Sequence, residues 1–458
     1  MAEKLFGTTG VRKVYGKEFD LDMALNLGKT LGTYLSGGTV LLAQDARTTG
    51  RVVSDALSAG LLSAGINVVR AGIIPTPTLA FMTKHGGYDT GAMVTASHNP
   101  PEYTGVKFWR KDGMGYSPEQ EKQLEEIYRS GKFRVAAWDN IGTESVVENA
   151  AEIHIQVLLT QCDSTLIKSR QFKVVVDPGN GAASVLTPYL MQRLGCRVIS
   201  INSQLDGHFP GRKSEPDEES LTDLVRFVKE TGSAIGIAHD GDSDRVVFVT
   251  ETGEVIRGDR IIALLAQEAL KHSRTKTIVT TVESSQVLDE TVSRAGGKTV
   301  RTPVGDIQVA LKMNEGGAAF GGEACGVFIF ADFNLAPEPF LASCKILELM
   351  ARTGRGLGNL MSEIPVYPLR KAKLDCRNEK KPKVMAALSK TLPKAVKEVT
   401  QVITVDGLGL FTKSGWVLVR PSGTEPVIRI TCEAQTDDAV EKLLRDAKIT
   451  VERAISVP

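Results

Sequence analysis

Lys173-Val174-Val175-Val176-Asp177-Pro178-Gly179-Asn180-Gly181 runs from a strand of consecutive apolar residues straight into a Pro/Gly turn. A helical stretch follows to Leu194, then Gly195, then a second apolar strand at Cys196-Arg197-Val198-Ile199. A strand that is apolar at successive positions, rather than at every second one, requires cover on both faces. Parallel sheets sandwiched between helices provide it. The same plan occurs twice more. Val40-Leu41-Leu42-Ala43-Gln44-Asp45 leads to a helix near Val52 to Ser63, then Gly65 and Ile66-Asn67-Val68-Val69. Thr277-Ile278-Val279-Thr280-Thr281-Val282 leads to a helix near Ser285 to Arg294, then Gly296-Gly297 and Lys298-Thr299-Val300. The glycine after each helix suits a left-handed C-terminal cap. Three such units predict three related α/β domains with buried, largely parallel sheets.

The last ninety or so residues read differently. Val384 to Leu392 has a helical pattern, Gly415 to Val419 and Val427 to Thr431 read as strands, and Ala439 to Ile455 as a closing helix. This predicts a smaller α+β domain. The domains expected are 1–150, 151–253, 254–368 and 369–458. A chain of 458 residues is too long for one ordinary core, and three or four domains suit its length.

Hydrophobic residues at 42% and charged residues at 24% describe a globular protein, and a formal net charge of +1 gives no reason to expect nucleic acid or an anionic membrane as partner. Any anion must be held by local sites. Six cysteines lie far apart with no Cys-x-x-Cys pair, which suits free thiols in a reducing compartment. No apolar run reaches the ~20 residues of a membrane span. A cytoplasmic monomer or homodimer is expected.

Four loops carry the chemistry. Thr95-Ala96-Ser97-His98-Asn99-Pro100 follows the apolar Ala92-Met93-Val94, and a hydroxyl at the end of a buried strand stands where open α/β sheets bind ligands. A turn serine bonded to its own backbone is the competing reading. If Ser97 is a nucleophile, Arg12 and Lys107 are the groups to tune it, each in a glycine-bearing segment that brings backbone and cation near a phosphate.

Asp240-Gly241-Asp242-Ser243-Asp244-Arg245 follows the apolar Ala234 to Ala238. Extended chain would turn all three carboxylates to one side, where only a cation makes them tolerable, and an all-oxygen set favours Mg²⁺. Three other readings stay open here: an EF-hand loop, which would need glycine where Arg245 stands; a phosphatase-type Asp240 nucleophile; and a solvated acidic turn. Gly321-Gly322-Glu323 places a carboxylate at a strand end, suited to accepting from sugar hydroxyls, with a surface loop acid as the competing reading. Arg420-Pro421-Ser422-Gly423-Thr424, with Arg429 nearby, offers guanidinium, hydroxyl and open backbone donors for a phosphate monoester, with a purely structural Ser-Gly-Thr turn as the competing reading.

Taken in this order and at these spacings, the four loops resemble those of the α-D-phosphohexomutase family. The similarity extends over essentially the whole chain, including Phe6-Gly7-Thr8-Thr9-Gly10-Val11-Arg12 and Thr302-Pro303-Val304-Gly305-Asp306. The resemblance implies four domains around one cleft, with Ser97 carrying the transferable phosphoryl group and Asp240, Asp242, Asp244 and the phosphoserine oxygen holding Mg²⁺. It places Arg12, His98, Lys107 and Arg245 around the reacting phosphate, Glu323, Cys325, Gly305 and Asp306 at the sugar, and Arg420, Ser422, Gly423, Thr424 and Arg429 on the distal phosphate. The implied activity interconverts hexose 6-phosphate and hexose 1-phosphate through a bound 1,6-bisphosphate. Glucosamine phosphate is the expected substrate. Mannose or glucose phosphate, or a silent sugar-phosphate binder, are the alternatives.

One departure concerns the sugar loop. Many relatives read Gly-Glu-Met/Gln-Ser-Gly-His, whereas this chain has Gly322-Glu323-Ala324-Cys325-Gly326-Val327, replacing a hydroxyl by a thiol and a histidine by valine.

Overall fold

The computed structural model describes residues 5–7, 10–422 and 425–456. Two compact units emerge, one formed by residues 1–258 with 325–361, the other by 259–324 with 362–458.

The first unit contains two sheets of one design. In the first, Thr39–Gln44 lies between Asn67–Ile73 and Thr90–Val94, parallel to both, and Tyr103–Arg110 returns antiparallel to Thr90–Val94. Val11–Val14 and Glu144–Val146 close the two edges. In the second, Lys173–Asp177 lies parallel to Arg197–Ser200 and to Ile235–His239, and Val246–Thr250 returns antiparallel to Ile235–His239.

Val40 to Leu42 and Val174 to Val176 are almost wholly buried, as strands covered on both faces must be. The sheets are therefore mixed rather than largely parallel. The third strand of each module is followed by a short loop instead of a crossover helix, and a short loop can only return the chain antiparallel. Those two loops, 95–102 and 240–245, contain Ser97 and the aspartate triplet.

The helices follow the expected positions at Gly50–Ser63 and Gln286–Arg294. The stretch toward Leu194 instead breaks into a 3₁₀ turn, Ala182–Val185, and a short helix, Thr187–Arg193. Pro188 sits in the first turn of that helix, where its missing N–H is harmless, but it could not continue a helix from before Leu186. Gly65, Gly195 and Gly296 have φ of 78°, 76° and 75°, the left-handed conformation anticipated after each helix.

The hairpin Val327–Phe330 with Asn334–Pro337, and the helix Pro339–Thr353, belong to the first unit. In the second unit, Thr277–Thr281 lies between Lys298–Thr302 and Phe320–Glu323, all parallel. The C-terminal sheet is antiparallel throughout, in the order Leu369–Asp375, Val427–Ala434, Gly415–Pro421, Leu408–Thr412, Val399–Ile403. Helices Lys381–Ala395 and Asp437–Ser456 pack on it, completing the expected α+β domain. No helix among the described residues is long and apolar enough to cross a membrane.

Candidate active site

Ser97 stands at the turn beyond Thr90–Val94, almost wholly buried, with a left-handed φ of 53° that a residue bearing a side chain rarely adopts. Its backbone N–H donates to Thr95 Oγ1 at 2.8 Å. Its Oγ donates to Asp240 Oδ2 at 3.0 Å, so the hydroxyl and the acidic loop, 143 residues apart, meet directly. The backbones are equally close, since a Cβ on Gly241 would lie 2.7 Å from the Ser97 carbonyl oxygen.

The acidic loop is not extended chain. It forms a turn in which Ser243 takes a φ of 64°, and the bend, rather than alternation, gathers the carboxylates. One oxygen from each of Asp240, Asp242 and Asp244 lies within 4.8 Å of the others. Lys107 Nζ donates to Asp242 Oδ2 and Asp244 Oδ2, both at 2.7 Å, and Thr76 Oγ1 donates to Asp242 Oδ2 at 2.7 Å.

Burial pushes Asp242 up, but Lys107 and the Thr76 hydroxyl outweigh it and hold the carboxyl well below the usual range. Asp240 lacks that help. Burial first, then repulsion from Asp244 and Asp242, raises it well above an ordinary carboxylate. Asp242 Oδ1 and Asp244 Oδ1 are buried with no hydrogen-bond partner. Orphaned oxygens, an all-oxygen donor set and one under-neutralised carboxylate fit a hard divalent cation such as Mg²⁺.

His98 Nδ1 lies 3.5 Å from Ser97 Oγ. Burial, then the charges of Arg245, Arg12 and Lys107, push its imidazole down to about 2. It is neutral, and its approach to Glu215 Oε2 at 3.6 Å is therefore no ion pair. Arg245 Nη1 donates to both Glu215 oxygens at 2.9 Å, and its backbone N–H to Asp240 Oδ1 at 3.1 Å. Arg12 adds positive charge on the strand paired with Gly105, and its Nε is buried without a partner. Cys325 is exposed and within electrostatic reach of Arg245. Val327 is buried at the start of a strand.

The second unit holds the other two loops. Glu323 ends its strand and accepts the Gly305 N–H at 2.9 Å on Oε1. Gly305, with a φ of 131° open only to glycine, caps the helix that begins at Asp306, so the carboxylate sits at a helix N-terminus. In the C-terminal sheet, Arg420 and Arg429 are direct cross-strand partners, and Lys373 pairs with Arg429 on its other side. Three cations in one row repel one another, an arrangement made favourable by an anion. Arg420 meets Asp406 and Glu283 at 2.9 and 3.0 Å, and Arg429 meets Glu425 at 2.5 Å. Ser422 Oγ accepts the Glu425 N–H at 3.1 Å. Gly423 and Thr424 lie outside the described residues.

Thr76, Glu215, Lys373 and Lys381 escaped the reading of the sequence. Lys381 Nζ donates to the carbonyls of Ser422 and Glu425 at 2.6 Å each, bracing the turn after Gly415–Pro421 from its own helix. Thr76 carried a signal, the Pro75-Thr76-Pro77 run at a strand end. Lys381 carried none, because its partners are backbone atoms.

Four family models match consecutively: phosphoglucomutase/phosphomannomutase α/β/α domain I over residues 3–135, domain II over 152–253, domain III over 257–367, and the C-terminal domain over 373–448. A probable phosphoglucosamine mutase of Methanopyrus kandleri is 42% identical over 98% of both chains. A phosphoglucomutase/phosphomannomutase of Thermococcus kodakarensis is 40% identical over 96% of this chain and 97% of its own. A crystal structure of a phosphoglucomutase/phosphomannomutase family protein from Burkholderia thailandensis superposes with a TM-score of 0.88 at 29% identity, covering 100% of this chain and 99% of the other.

Proposed function

We propose, on the premise that this chain belongs to the phosphoglucomutase/phosphomannomutase family of α-D-phosphohexomutases, that it interconverts glucosamine 6-phosphate and glucosamine 1-phosphate. Phosphorylated Ser97 gives its phosphoryl group to the free hydroxyl of the substrate, forming a bound 1,6-bisphosphate. After the sugar reorients, the other phosphoryl group passes to the Ser97 oxygen. The observation that carries this reading is the 3.0 Å approach of Ser97 Oγ to Asp240 within a buried three-carboxylate cluster.

Asp240, Asp242 and Asp244, with an oxygen of the phosphoserine, are the residues to hold Mg²⁺, which when bound supplies charge that neutralises the transferring group. Lys107, Arg12 and Arg245 add fixed positive charge in a dry site, where it acts most strongly. His98, with Nδ1 3.5 Å from Ser97 Oγ, offers a hydrogen bond to the transferring group. Glu323, at Gly305 and Asp306, takes sugar hydroxyls, and Cys325 contributes a weaker donor than the serine it replaces. Arg420, Arg429 and Ser422, with Gly423 and Thr424, grip the phosphate that is not reacting. The two ends of the bisphosphate exchange places, so that grip must tolerate either orientation of the sugar.

The glucosamine assignment rests on whole-length relatives at about 40% identity that bear the name probable phosphoglucosamine mutase. Free, widely spaced thiols support a cytoplasmic setting. A purified sample assayed on glucosamine, mannose and glucose 6-phosphates with a bisphosphate activator tests the substrate. A mannose 6-phosphate rate well above the amino sugar would overturn it. Peptide mass spectrometry tests the mechanism, because phosphate on Asp240 with none on Ser97 would refute it.

A further inference from the structure

We propose that Arg47, outside all four loops, is the positioning residue that sets the geometry of Ser97 for phosphoryl transfer; this rests on the mutase reading above. Arg47 follows the strand Thr39–Gln44 by three residues, and its side chain is 1% exposed. Nη2 donates to the carbonyl oxygens of Ser97 and Asn99, at 2.7 and 2.6 Å. Nη1 donates to those of Pro100 and Tyr103, at 2.6 and 3.0 Å. Nε donates to Asp45 Oδ2 at 3.2 Å. Those five contacts use all five donors of a guanidinium; three of them fall on the backbone of the loop that carries the nucleophile and a fourth on Tyr103, where the next strand begins.

The grip is itself anchored. Asp45 is fully buried, accepts the Arg47 N–H on Oδ1 at 2.9 Å, and accepts the Thr95 hydroxyl on Oδ2 at 2.6 Å. Thr95 Oγ1 in turn receives the Ser97 N–H. The serine is thus fixed on both sides of its Cα, its N–H through Thr95 and Asp45 and its carbonyl through Arg47. The Phe209 ring covers the guanidinium, with its centroid 5.2 Å away. A left-handed non-glycine residue persists only where its surroundings impose it, and this network is what imposes it on Ser97.

The device recurs in the second module, which argues against accident. Asp177 ends Lys173–Asp177 as Asp45 follows Thr39–Gln44, and its Oδ2 accepts Arg212 Nε at 2.8 Å. Arg212 Nη2 reaches the His239 carbonyl at 2.6 Å, immediately before Asp240. In the first module a buried Asp–Arg pair holds the loop that leaves the third strand, and in the second it holds the last residue of that strand.

Lysine has three donors on a point charge and cannot reproduce a planar fork onto four carbonyls. Arg47→Lys is therefore expected to lower kcat on glucosamine 6-phosphate by ~100-fold, with KM changed less than ~3-fold. Transfer from a hexose 1,6-bisphosphate to dephosphorylated Ser97, followed by mass spectrometry in single turnover, should slow to match. Leu57→Ala, a cut in the buried core of the same domain, controls for lost stability and should keep kcat within ~3-fold below its melting temperature. Arg47→Ala with added guanidinium ion gives a second reading, in which the ion restores part of the rate.

Equal kcat loss in Arg47→Lys and Leu57→Ala at matched melting temperatures would overturn the proposal, as would a wild-type kcat in Arg47→Lys. If Arg47→Lys does not fold, absence of guanidinium rescue in Arg47→Ala overturns it. A wild-type protein that never phosphorylates Ser97 would instead sink the mutase reading itself.

Discussion

Replacing Lys107 by methionine keeps most of the side-chain volume and removes one charge from beneath the aspartate triplet. The ammonium is 1% exposed and makes two contacts of 2.7 Å, to Asp242 and Asp244. Taking away one partner of a buried ion pair costs ~3–5 kcal/mol, because the carboxylates left behind have lost both water and counter-charge. The deficit should depend on metal. A divalent ion supplies the missing charge, and an ion at about 100 times its Kd stabilises the native state by ~2.7 kcal/mol even in the wild type. The variant, with more uncompensated negative charge, should bind it more tightly.

Urea unfolding of dephosphorylated protein in EDTA and in saturating Mg²⁺ reads the difference. The expected loss is ~3–5 kcal/mol in EDTA and under about 2 kcal/mol with Mg²⁺. An equal loss in both conditions would refute the idea that lysine and metal share the neutralisation of one acidic cluster. A loss below ~1 kcal/mol in EDTA would show that the pair is not the buried one described.

Two further substitutions test the second unit. Arg420→Ala should raise KM for the sugar phosphate ~10-fold or more, since a charge-assisted hydrogen bond is worth ~1.5–3 kcal/mol and part of that is offset by the ion pairs with Asp406 and Glu283 in the free protein. Steady-state kinetics decide it, and an unchanged KM would remove Arg420 from the phosphate site. Glu433, 1% exposed, accepts on Oε1 from Ser285 Oγ, the Gln286 N–H and Trp416 Nε1 at 2.9 to 3.0 Å. Glu433→Ala strands these donors and should cost ~2–4 kcal/mol, read by Trp fluorescence during urea unfolding; a loss below ~1 kcal/mol counts against it.

The parts legible in the sequence were those written in residue types. Val174 to Val176 and Leu41 to Ala43 announce buried strands by having no polar alternation, and the loops after the third strands stand out as Ser97 and as Asp240, Asp242 and Asp244. What stayed hidden depends on backbone atoms or on long-range placement. Arg47 and Lys381 act on carbonyl oxygens, which every residue possesses, so no pattern marks the partner. The left-handed Ser243, which turns the acidic loop, is an ordinary serine in the sequence. Residues 325–361 pack with the first unit although they follow the third repeat in sequence, because that packing is set by tertiary burial of the helix Pro339–Thr353.

The thiol of Cys325 has a practical side. Among the described residues Cys325 is the exposed cysteine, while Cys196, Cys344, Cys376 and Cys432 are shielded by burial and Cys162 is half-covered. A bulky maleimide fluorophore offered to the folded protein therefore finds its most open thiol at Cys325, beside Arg245. Nature has left a ready-made labelling handle between Ala324 and Gly326, open to reagents while the four buried thiols are covered.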